Sequence, residues 1–210
     1  MSAARVIPME ETAQVITIDS TFAASPKAVI IPAGQPVGFT NNSGATITIQ
    51  FEPNPPGPTL FTNVPPLANG ATNSQTPQAA NGNGAVNYYV VDPGGTQHGP
   101  YAIQVGNGPL YIQVTYSQAL GAGQCTPSPA VIPYQGYLEM ISNDYNYSVN
   151  WPTSFGDPFT PALTSIGIGA SNNSPHKEIA NLADYNYTLT KTGIGAGTGS
   201  GGGTVRVKGT

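Results

Sequence analysis

A chain of 210 residues with 26 Gly, 21 Pro and only 8% charged residues departs strongly from the roughly 25% charge of an average soluble domain. Six basic and ten acidic residues, a net charge of −4 and no Lys/Arg cluster argue against nucleic-acid binding. No apolar run approaches the ~20 residues of a membrane-spanning helix, the lone Cys125 excludes an intramolecular disulfide, and 39% hydrophobic content argues against disorder.

The first residues, MSAARVIPMEETAQ, contain no apolar h-region and no small-residue cleavage site, so no signal peptide is expected. Residues 1–12 are read as an N-terminal arm, which either pairs with the sheet edge of a neighbouring subunit or closes its own domain. Val15 to Ile18 and Ala28 to Ile31 follow as two strands.

The stretch Pro32 to Phe51, PAGQPVGFTNNSGATITIQF, sets two apolar runs, Val37 to Phe39 and Ile47 to Phe51, around the turn residues Asn41, Asn42, Ser43 and Gly44. That pattern predicts two strands paired around a tight connection. After Phe51 comes a long span rich in Pro, Asn and Gly, in which central strands are unfavourable because proline removes a ladder donor. Strands resume at Ala85 to Val91, Tyr101 to Val105 and Leu110 to Tyr116, the last two joined by GNG, a hairpin signal. Residues 117–129, SQALGAGQCTPSP, lack periodicity and are expected to be a linker.

Between Pro133 and Trp151 the chain reads PYQGYLEMISNDYNYSVNW. Pro32 matches Pro133, Phe39 matches Met140, Asn42 matches Asn143, and Phe51 matches Trp151 after one deletion. Tyr137 to Ile141 and Tyr145 to Trp151 are the corresponding strand pair, and Leu163 to Ile168 is a further strand. Tyr185 to Lys191 corresponds to Asn87 to Val91, Gly193 to Gly203 reads as a mobile loop, and Thr204 to Lys208 as a closing strand. A short turn near Pro175 to Leu182 is the single helical candidate. The repeat predicts β-sandwich domains at 13–116 and 130–210.

The order of elements in each half resembles the cupredoxin fold, the Greek-key sandwich of blue copper proteins, with IPAGQPVGFTNNSGATITIQF as its closest stretch. The resemblance implies an all-β architecture of two tandem Greek-key β-sandwich domains, cupredoxin-like. It also implies where copper ligands would stand. The first His position holds Ile47 and, in the second copy, Tyr147; the Cys position holds Val90 and Leu189; the following His is replaced by Pro93 in the first copy. Such a chain is expected to be a copper-free relative, since blue copper requires two His, a Cys and usually an axial Met.

The remaining metal-ligating types, His98, His176, Cys125 and Met140, have no spacing that unites two of them, so no metal and no cofactor are expected. The acids Asp19, Glu52, Asp92, Glu139, Asp144, Asp157, Glu178 and Asp184 are scattered; Asp157 with Asp184 is the strongest candidate pairing within the second repeat, and turn chemistry accounts for it. With no nucleophile elbow and no phosphate loop, no catalytic residue is assigned and no enzymatic activity is expected.

Tyrosines are abundant, and many serve cross-strand packing. Trp151, Phe155, Tyr145 and Tyr147 form the candidate interaction surface, suited to a glycan or a protein partner. Asn41, Asn146, Asn172 and Asn186 fit the N-x-S/T pattern. With so little charge to oppose self-association, the expectation is a non-enzymatic structural protein that self-assembles with copies of itself into a filament, surface layer or particle shell. A carbohydrate- or protein-binding module is the alternative. Location leans extracellular, cell-surface or particle-associated.

Overall fold

The structure, a computed structural model, describes residues 14–53, 59–78, 83–119, 122–134, 136–151, 159, 162–168, 171–175, 184–192 and 200–208. The expected N-terminal arm therefore lies outside the described residues, as do Phe155, Asp157 and His176. Among the described residues every regular element is a strand.

Eight strands build the first repeat: β1 (Gln14–Ile18), β2 (Ala24–Ser25), β3 (Ala28–Ile31), β4 (Val37–Asn41), β5 (Thr48–Phe51), β6 (Thr72–Gln75), β7 (Gly84–Val91) and β8 (Gln97–Val105). They form two four-stranded sheets, ordered β2-β1-β4-β6 and β3-β8-β7-β5. The sheets face each other across a core containing Ile16, Phe39, Ile49, Tyr88 and Ile103. Each large apolar side chain removed from water in this way contributes about 1.5–3 kcal/mol.

The second repeat contains β9 (Leu110–Ser117), β10 (Ala122–Thr126), β11 (Ala130–Pro133), β12 (Tyr137–Ser142), β13 (Asn146–Asn150), β14 (Ser165–Ile166), β15 (Ser171–Pro175), β16 (Asp184–Thr192) and β17 (Ser200–Lys208). Its strands run β14-β13-β16-β17-β10-β9-β12-β15 in one continuous sheet, with β11 added alongside β17. The sheet curls around a second core that includes Ile112, Met140, Tyr147, Leu189 and Val207. Strict alternation in β16 drives this burial: Tyr185, Tyr187 and Leu189 point inward while Asn186, Thr188 and Thr190 face out.

Strand pairing confirms the duplication. The first strand runs parallel to the fourth in both repeats, placing Ile16 beside Phe39 and Ile112 beside Met140. The third runs parallel to the last, as β3 with β8 and β11 with β17. The antiparallel pairs β4–β6, β5–β7 and β7–β8 recur as β12–β15, β13–β16 and β16–β17. In the first repeat two parallel pairs sit inside an otherwise antiparallel double sheet, and in the second, where β10 adds a third parallel pair with β17, the same pairings recur within one curled sheet; the arrangement is a Greek-key, cupredoxin-like sandwich.

Several expected connections are corrected. Val37 to Phe39 and Ile47 to Phe51 do not pair with each other: β4 pairs with β1 and β6, whereas β5 lies in the facing sheet against β7. The Asn-rich turn crosses from one sheet to the other, because the inward side chains of both strands share one core. In the second repeat β12 and β13 likewise have different neighbours. The GNG segment is also a crossover: β8 pairs with β3 and β7, while β9 pairs with β10 and β12.

Consequently the change of core falls between Val105 and Leu110. Ile103 and Val105 are buried in the first core, and Leu110, Ile112 and Val114 in the second. The 117–129 segment, expected as linker, contains β10, whose outward-reading composition conceals five residues paired with β9. At the other end, Ser200–Gly203 belongs to β17 rather than to a loop. Glycine is required there by close approach: a Cβ on Gly201 would stand 1.8 Å from the Gly123 carbonyl oxygen.

The two repeats are joined by specific contacts. Asn87 Nδ2 donates to Val131 O at 2.7 Å and Asn87 Oδ1 accepts from Val131 N at 3.0 Å. Tyr137 N donates to Gln104 Oε1 at 3.0 Å. Ala28, Ala102 and Val131 form a small buried apolar cluster.

Candidate functional site

Positions at which the resemblance places copper ligands are interior. Ile47 and Val90 are packed in the first core, and Tyr147 and Leu189 in the second. Pro93 lies exposed on the turn after β7. Other ligand types are separated: Met140 is wholly buried in the second core, and His98 Nε2 sits 3.1 Å from Asp92 Oδ2 with its ring against Phe22. Burial pushes the Cys125 thiol up to about 11, while a contact with Tyr187 opposes the shift. Among the described residues no group of three or more His, Cys, Asp or Glu could hold a metal ion.

Asp184, one member of the acid pair, is bound to Arg206 Nε at 3.0 Å. Asp144 instead organises the turn between β12 and β13. Its Oδ1 accepts from Ser142 Oγ at 2.9 Å, Tyr145 N at 2.7 Å and Tyr147 Oη at 3.2 Å, and its Oδ2 accepts from Tyr116 N. Partial burial acts to raise the carboxyl pKa, and the four donors outweigh it, holding the group below the usual carboxylate range.

The four aromatic candidates do not form one exposed platform. Tyr147 is a core residue, 1% exposed. Tyr145 is half-buried: its ring meets Tyr116 edge-on at 5.4 Å, and Lys191 Nζ lies 3.6 Å from its centroid. Trp151 is half-buried too, packing on Phe159 and Tyr187 and donating from Nε1 to Leu163 O at 2.8 Å. Phe155 falls outside the described residues. What Trp151 leaves open is a shallow depression of about 280 Å³, lined with Asn150, Asn186 and Thr188.

The sequons separate by burial. Asn41 is fully buried, with Nδ2 donating to Ala45 O and Leu67 O, both at 2.7 Å, whereas Asn146 and Asn186 are exposed. Asn172's side chain lies outside the described residues.

Nothing local in the sequence singles out Glu52 among the acids, yet the fold gives it a distinct setting. It follows β5 and lines a cavity of about 350 Å³ with Phe51, Leu60, Phe61, Asn63 and Val86. Its Oε2 is sealed from solvent without a hydrogen-bond partner among the described residues. Burial raises its pKa.

No protein-family model matches the chain, and no curated protein matches it. Among solved structures, the chain is similar to a purple cupredoxin from Nitrosopumilus maritimus, at 22% identity and TM-score 0.34, over 44% of this chain and 99% of that one. It is similar to a variant of the McoA multicopper oxidase from Aquifex aeolicus, at 12% identity and TM-score 0.35, over 95% of this chain and 63% of the oxidase. A copper-containing nitrite reductase from Thermus scotoductus SA-01 matches at 14% identity and TM-score 0.30, over 86% of this chain and 54% of the reductase. The chain thus spans under two thirds of each of these two enzymes. By its own strand pairing the chain is a tandem cupredoxin-like sandwich, and buried core side chains stand at the Ile47, Val90, Tyr147 and Leu189 positions.

Proposed function

We propose that this chain is a non-enzymatic structural protein that assembles with copies of itself through its sheet edges. The observation that carries this reading is the chemistry of two equivalent edge strands. β6 reads TNSQ and β15 reads SNNSP, and each is the terminal strand in its sheet order. Natural sheets guard such edges with Lys, Pro, inward charge or bulges. β6 carries only amides and hydroxyls, and β15 adds a proline only at its last residue, leaving backbone donors and acceptors for another chain. The filled Ile47, Val90, Tyr147 and Leu189 positions support a role other than copper electron transfer.

Sedimentation velocity and negative-stain electron microscopy across concentration and pH test the proposal. Ordered assemblies weakened by Thr72→Lys together with Ser74→Lys support it. A chain that stays monomeric throughout, with no particles or fibres in the images, refutes it.

The depression beside Trp151 favours a second reading, a carbohydrate-binding module. A half-exposed indole flanked by two amides and a hydroxyl supplies both stacking and hydrogen bonds to a sugar. Glycan-array binding lost in Asn186→Ala as well as in Trp151→Ala supports this module; an array without a hit removes it.

A further inference from the structure

The cavity at the end of β5 combines three features that together describe a recognition site. Its walls are apolar and aromatic, with Phe51 and Phe61 stacked at 5.1 Å between centroids. Its rim includes the exposed Asn63. Among the described residues its one ionisable lining group is Glu52, whose Oε2 is withdrawn from water without a hydrogen-bond donor. A buried carboxyl oxygen without a donor is unfavourable for the free protein. The fold does not demand it: in the second repeat the residue after Trp151, the counterpart of Phe51, is Pro152.

We propose that this cavity binds an aliphatic ammonium group, with Glu52 as counter-ion and the Phe51–Phe61 stack as the wall for the alkyl chain. A cation supplies both the missing donors and the missing charge, and aromatic faces attract cations in a desolvated pocket. A neutral alcohol of the same length supplies one donor and no charge, so it gains much less from the same carboxyl. The ammonium group belongs either to a free amine or to an exposed basic side chain of a second copy, such as Lys27.

The test is an amide-shift NMR titration of the full chain with n-butylammonium and, separately, 1-butanol. Saturable shifts at Glu52, Phe61 and Val86 with butylammonium, at least tenfold tighter than with butanol, are expected. Glu52→Gln is expected to keep the native spectrum and lose at least tenfold in butylammonium affinity. Equal binding of the two ligands, unchanged affinity in the folded Glu52→Gln variant, or no saturable shift in the wild type overturns the proposal.

The source of the cation is read from a second arm, sedimentation in saturating butylammonium. Dissociation of assemblies by the amine in the wild type assigns the site to a basic side chain of another copy; unaltered sedimentation assigns it to a free amine. The titration is made at concentrations where the chain is monomeric, so it stands or fails independently of the assembly reading.

Discussion

The side chain of Asn87, on β7 of the first repeat, pairs with both backbone groups of Val131, on β11 of the second, as though it were one more peptide unit in a strand. Asn87 is 1% exposed and Val131 fully buried. A side-chain amide presents a donor and an acceptor side by side without a change of protonation state. Asn87→Ala would leave the Val131 N–H and carbonyl without these partners in a site closed to water. The expected loss is ~2–4 kcal/mol, from two buried groups at the usual cost per unsatisfied group. Urea unfolding at neutral pH measures it, and the repeats are expected to unfold in separate transitions once this contact is gone.

Asp144 makes the second prediction. Its folded pKa is depressed, so the carboxylate stabilises the native state above the unfolded value near 3.8, and that contribution is lost as pH falls through the lower folded pKa. Asp144→Ala removes the acceptor of Tyr116 N, Tyr145 N, Ser142 Oγ and Tyr147 Oη. A loss of about 2–3 kcal/mol at pH 7 is expected from the donors left unpaired. The gap between variant and wild type should narrow below pH 3.8, which acid-dependent thermal melts monitor.

Glu52 has the opposite sign. Burial raises its folded pKa above the ordinary glutamate value of 4.5, so ionising it costs stability. Below the unfolded pKa both states are protonated and the penalty is absent; it develops as pH rises through that value and is complete above the folded pKa. Glu52→Gln is therefore expected to raise Tm at pH 7 and to leave it nearly unchanged at pH 4, as calorimetry at the two pH values would reveal.

Tyr88 and Tyr187 occupy equivalent inward positions on β7 and β16, each with its ring against the matched aromatic, Phe51 or Trp151. The Tyr88 hydroxyl is buried without a hydrogen-bond partner among the described residues, and burial raises its pKa well above the usual tyrosine value. Tyr88→Phe is expected to be neutral or stabilising by up to ~1 kcal/mol, since it removes an unpaired polar atom and keeps the ring. The Tyr187 hydroxyl is likewise buried without a hydrogen-bond partner among the described residues, and the same change there is expected to have a similar effect. Equilibrium unfolding of the two variants compares them directly.

Gly201 supplies a prediction about the closed sheet. A methyl group there would meet the Gly123 backbone, so β17 could not remain beside β10. Gly201→Ala is expected to cost more than ~3 kcal/mol, the upper range of overpacking in a tight site. Circular dichroism and heteronuclear NMR would show the second repeat disrupted while the first keeps its spectrum.

Residues read from the chain matched their structural counterparts closely where turn chemistry and inward positions are local. Phe39 and Met140 occupy the same place beside Ile16 and Ile112. Val90 and Leu189 face their cores opposite Ile49 and Val149. The candidate surface was less legible. Tyr147 and Asn146 are adjacent and both polar-tipped, and only their alternation along β13 makes one a core residue and the other exposed. Trp151 reads as a platform in sequence because nothing local announces that Leu163 will accept its indole hydrogen bond.

Sequence by itself determined that this protein is all-β, repetitive and poor in charged residues. These properties are written in composition, turn residues and a period-2 pattern, all set by a few neighbouring residues. Tertiary structure alone decided which strands are neighbours, that the second repeat begins at Leu110, that Asn87 ties the repeats together, and that Glu52 lines a cavity. A period-2 pattern states which side chains face inward but carries no address for the partner strand. That address is settled by shared burial between segments far apart in the chain, which is why β4 and β5 enclose one core from opposite sheets.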